Sequence, residues 1–150
     1  LRSAGLALAI FAGALSVQPA AAQEPDPRLL GEIYAFYGTK ALVGVASERC
    51  YVQMGLDAAY PLAAENWNIR NIAYVELADR VLILLGQTTP DSRNAAEAYG
   101  TEQARHAFDA AADASAYCAT LLLSINAGAF DIAEQYPEQL RRIQAVGADR

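Results

Sequence analysis

The one histidine of this 150-residue chain sits among carboxylates. Glu102, His106, Asp109 and Asp113 recur at i, i+4, i+7 and i+11, which on a continuous helix gathers them within about 60° of one face. Carboxylates and an imidazole at that spacing are donor types that a divalent cation takes. The same face lies opposite an apolar seam of Ala104, Phe108, Ala111, Cys118, Leu122 and Ile125, so a solvated acidic stripe accounts for it without chemistry. No second His, no His-Glu-x-x-His and no Glu-x-x-His pair accompanies it. The expectation is a solvated face, with no metal and no cofactor.

Two other groupings stand out. Glu76 and Arg80 lie at i, i+4 on the narrow charged edge of an otherwise apolar segment. They read either as an ion pair at the solvent line or as a pair lining a cleft. Asn66-Trp67-Asn68-Ile69-Arg70-Asn71 combines an aromatic anchor with directional polar groups. Trp67, Arg70 and Asn71 suit a partner-binding surface. They also suit a structural role in the first turns of a helix, where Asn serves backbone N–H groups and Trp covers the end of a bundle.

Cys50 and Cys118 are the only cysteines. With no Cys-x-x-Cys, thiol–disulfide exchange is disfavoured, and in an exported chain one structural disulfide is the simplest reading. Nucleophilic catalysis has no support either: the chain has no Gly-x-Ser-x-Gly elbow, no Cys-x-x-Cys-His and no glycine-rich phosphate loop. Acid–base chemistry cannot be argued from carboxylates scattered through an acidic chain.

The elements that must position these residues are helical. Residues 1–22 read as a cleaved secretory signal peptide: Arg2, an apolar run from Ala4 to Val17, a Gln18-Pro19 break and Ala20-Ala21-Ala22 before the cleavage point. Residues 23–28 form a polar leader carrying two prolines, and residues 29–150 a single helical domain. Helix 1 starts at Asp26-Pro27, with Pro at the first helical position. Leu30, Ile33, Tyr37 and Ala41 repeat along it, a break near Gly38 is open, and Tyr60-Pro61 ends or bends the chain. Helix 2 runs from about Pro61 to Leu85, with Ile69, Ala73, Leu77, Val81 and Leu84 on one stripe and further apolar residues nearly all round. Such a helix is central in a bundle or lies in a subunit interface. Helix 3 is expected from Asp91 to Asn126 with Gly100 as a possible kink, and a short last helix from Pro137. The fold class is all-α: three long helices plus a short C-terminal helix, with Cys50–Cys118 tying helix 1 to helix 3.

The formal net charge is −6, with a single lysine and no basic cluster, which argues against nucleic acid and anionic membrane surfaces as partners. No later segment is apolar enough to insert in a bilayer once the signal is removed. These readings converge on a non-enzymatic protein, exported to the periplasm of a Gram-negative bacterium or secreted. It would act by binding another protein, itself included, as an accessory, structural or inhibitor-like factor. The alternative is a small-molecule- or metal-binding bundle.

Overall fold

The computed structural model describes residues 25–148, and the signal peptide expected at 1–22 lies outside them. Among the described residues six helices follow one another: α1 Pro27–Gln53, α2 Ala59–Leu84, α3 Asp91–Asp109, α4 Ala114–Asn126, α5 Ile132–Gln135 and α6 Pro137–Ala148. The described residues contain no strand, and the chain is an all-α bundle. None of these helices is long and apolar enough to cross a membrane.

Local chemistry explains most of the boundaries. The Asp26 carboxylate accepts the Arg28 N–H at 2.9 Å and Pro27 occupies the first helical position. Helix α1 runs unbroken through Gly38 and stops at Gln53, before Tyr60-Pro61. Those two residues belong instead to the first turn of α2, where proline's missing N–H has no intrahelical partner to lose. Gly86 and Gly128, at φ 71° and 80°, terminate α2 and α4 in the left-handed conformation.

The expected third long helix is two helices. At Asp113 the backbone is extended (φ −133°, ψ 103°), and its carboxylate accepts the Ala116 N–H at 3.0 Å. That is an N-cap, which starts α4 afresh after a short connection from α3. Alanine-rich sequence on either side has high helix propensity, so nothing but the cap marks the break.

The hub is α1, which packs against α2, α3, α4 and α6. It buries Ile33, Phe36, Tyr37, Val43, Ala46 and Cys50 against Trp67, Val75, Ala78 and Val81 of α2, Ala104 of α3, and Cys118, Leu121 and Ile125 of α4. Helix α3 lies so close to α1 that a Cβ at Gly100 would overlap the Gly38 carbonyl. Helix α6 closes the bundle with Leu140 and Ile143. Cys50 and Cys118, both fully buried, form a disulfide with Cα atoms 5.4 Å apart, joining α1 to α4. Helix α2, apolar nearly all round its circumference, is therefore not central. It buries one side and turns the other outward.

Candidate functional site

The acidic face around His106 is dispersed by the break after α3. Glu102, His106 and Asp109 are exposed on α3, while Asp113 caps the next helix. Arginines meet two of the carboxylates: Arg105 reaches Glu102 at 2.8 Å, and Arg49 reaches Asp109 at 3.0 Å. Among the described residues no group of three or more His, Cys, Asp or Glu is placed to hold a metal ion.

Trp67, Arg70 and Asn71 are brought together, but they face inward onto the turn between α4 and α5. The Trp67 indole donates to the Phe130 carbonyl at 2.8 Å. Arg70 forks onto Asp131, with Nε donating to Oδ2 at 2.9 Å and a terminal nitrogen to Oδ1 at 3.0 Å, and also donates to the Ile125 carbonyl at 2.8 Å. Asn71 is fully buried. Its amide donates to the Trp67 carbonyl at 2.7 Å and to Asp131 at 3.1 Å, and its oxygen accepts the Ile132 N–H at 2.8 Å. Burial pushes the Asp131 carboxyl up, and hydrogen bonds from Arg70 and Asn71 more than offset it, holding it below the usual carboxylate range. Trp67 and Asn71 thus serve as an internal clamp, the structural one of the two roles open to them, because the turn's backbone polar groups need these partners. Only Arg70 reaches the surface.

Glu76 and Arg80 behave in the opposite way. Both are exposed on the outer side of α2, and among the described residues neither forms an ion pair, with the other or elsewhere. Along that side Leu62, Ile69, Ile72, Ile83 and Leu84 are all exposed, Ile69 by 63% and Ile83 by 65%, with Glu65 and Asn66 among them. Leu123 of α4 is also exposed.

Two further features were not visible in local spacing. At the junction of α1, α2 and α3, the Tyr37 hydroxyl donates to Asp79 at 2.6 Å, Arg93 bonds the same carboxylate at 3.1 Å, and the Arg93 guanidinium lies 4.5 Å from the centre of the Tyr37 ring. Burial first, then the Asp79 hydrogen bond and charge, raise the Tyr37 phenol well above its ordinary value, so it stays protonated and is no nucleophile. Tyr37 and Asp79 lie 42 positions apart, beyond the reach of any helical period. The second feature is a groove of about 590 Å³ between α1 and α3, roofed by residues around α5. It is lined without a charged side chain by Tyr34, Tyr99, Gln103, Phe130, Gln135 and Tyr136, with Gly31 and Gly38 on the α1 side. Thr39 and Tyr136 share a hydrogen bond at 2.9 Å at its wall.

The ionisable groups brought together here are engaged in holding helices, and no nucleophile–base pair is assembled among them. Comparison with family models, with curated proteins and with solved structures returns no match for this chain.

Proposed function

We propose that the protein is a non-enzymatic interaction module that works by docking another protein surface against the outer side of α2. The observation that carries this reading is the row of exposed Leu and Ile residues on one helix of an otherwise well-packed bundle. Isolated exposed apolar residues are ordinary, whereas several gathered on one helix face mark a contact surface. The inward use of Trp67, Asn71, Tyr37 and Asp79 leaves the exposed Leu and Ile residues of α2 as the largest outward apolar grouping on a single helix. Export supplies the setting: the signal-like pattern at 1–22 and a disulfide between buried cysteines both suit an oxidising compartment.

Photo-crosslinking in the native cell tests this reading. A photoreactive residue at Ile69 or Ile83 should give a discrete protein adduct, and the same residue at Glu138 on α6 should not. Adducts of equal yield from all positions, or none from α2, would contradict it.

A second reading, binding of a small neutral molecule, is supported by the α1–α3 groove. Its tyrosine hydroxyls and glutamine amides are directional, uncharged groups set around an apolar floor. Titration with a panel of uncharged saccharides, monitored through the tyrosine resonances, would show saturable shifts that Tyr99→Ala abolishes. Linear, unsaturated shifts would discard it.

A further inference from the structure

The exposed face of the C-terminal half of α2, from Ile72 to Leu84, is symmetric about Ala78, and from this we infer that its partner is a second copy of the same chain. The inference rests on the reading of α2 as an interaction surface and names the occupant. Counting outward from Ala78, Glu76 and Arg80 stand two positions to either side, Ala73 and Ile83 five, and Ile72 and Leu84 six. All six are exposed, while Ala78 itself is buried against α1.

Two α2 helices laid antiparallel across a two-fold axis at the level of Ala78 bring each member of these pairs opposite the other. Glu76 of one copy then faces Arg80 of the partner copy, and the contact is made twice. Ala73 meets Ile83 and Ile72 meets Leu84, matching small against large and apolar against apolar. Such self-complementarity is what an isologous contact requires. A parallel pairing in register would set Glu76 against Glu76 and Arg80 against Arg80, which like-charge repulsion disfavours. Among the described residues neither has an ion-pair partner, which leaves both charges available for this exchange.

The contact covers roughly four turns of helix on each side, placing it at the small end of specific assemblies, below about 1,200 Å² in total. Contacts of that size belong to weak, reversible assemblies, so the dimer should dissociate on dilution.

Sedimentation equilibrium across a concentration series on the oxidised protein decides the matter. The wild type should associate to a dimer. E76R places arginine against arginine and R80E places glutamate against glutamate, so each alone should weaken association by about tenfold or more. An equimolar mixture of E76R and R80E chains restores both opposite-charge contacts and should form a one-to-one heterodimer. Circular dichroism melts matching the wild type confirm that these exposed substitutions leave the fold intact. A wild type that stays monomeric at every concentration overturns the inference, as does a dimer indifferent to both substitutions. A mixture that remains monomeric overturns the antiparallel register. If the wild type is monomeric but Ile69 still crosslinks to a different protein, the self-association fails while the interaction reading stands.

Discussion

Gly100 of α3 rests backbone-to-backbone on Gly38 of α1, with no room for a side chain at position 100. A methyl group there would collide with the Gly38 carbonyl oxygen, which belongs to a helix and cannot rotate away. At Gly38 a methyl group would meet the Ala96 carbonyl at 3.2 Å, a lesser conflict. Gly100→Ala should therefore destabilise the protein by about 2–3 kcal/mol and Gly38→Ala by less, although alanine is the better helix former at both sites. Urea denaturation of the two variants measures the difference.

The disulfide closes a loop between residues 68 positions apart and joins α1 to α4 within the core. Chain-entropy reasoning puts its contribution at up to about 4 kcal/mol. Reduction, or the Cys50→Ala/Cys118→Ala double variant, should lower the denaturation midpoint by a matching amount while the helical circular dichroism signal of the folded state persists.

Neighbouring asparagines on α2 should respond in opposite ways. Asn71→Ala removes the acceptor for the buried Ile132 N–H and two donated hydrogen bonds at once. It should destabilise by about 2 kcal/mol or more, the cost of leaving buried polar groups unpaired. The Asn68 side-chain oxygen is buried with no partner among the described residues, so Asn68→Ala loses no such bond there and should change stability by less than about 0.5 kcal/mol. Thermal melts of the pair provide the comparison.

Acid should act through Asp131. Its carboxyl is held below the usual range in the folded chain, so the folded state favours the ionised form relative to the unfolded chain. That contribution is complete above the ordinary carboxylate pKa and is lost as pH falls through the lowered folded value. Glu32, drawn down first by its hydrogen bond from Arg142, acts in the same direction. Stability should be flat near neutrality and fall on acidification, and Asp131→Asn should be less stable at neutral pH with a shallower acid limb. Denaturation midpoints measured from pH 7 downward check the sign.

What the sequence made legible was the chemistry that acts locally. Asp26-Pro27 announces a helix start, and two lone cysteines in an apolar helical pattern a single crosslink. The break at Asp113 escaped because a lone aspartate within alanine-rich sequence can lie on a helix face or cap a new helix, and only tertiary packing selects between them. The hexapeptide containing Trp67, Arg70 and Asn71 was recognisable as unusual, but its direction was not. Whether an aromatic and an amide face solvent or a turn sixty residues away depends on where that turn's carbonyls fall. The Tyr37–Asp79–Arg93 cluster joins three helices and leaves no trace in any one of them. The apolar circumference of α2 was legible in full, with two explanations, and the hub position of α1 removes the first of them.

The most direct measurement is native mass spectrometry of the protein recovered from its own cells, beside an Ile69→Ser/Ile83→Ser variant recovered the same way. The account predicts a processed chain, lighter than its reduced form by the pair of hydrogens a disulfide removes, carrying a bound protein in the wild type and none in the variant. Wild type and variant that both arrive as the same bare chain would contradict the claim that the outer side of α2 is where this protein works.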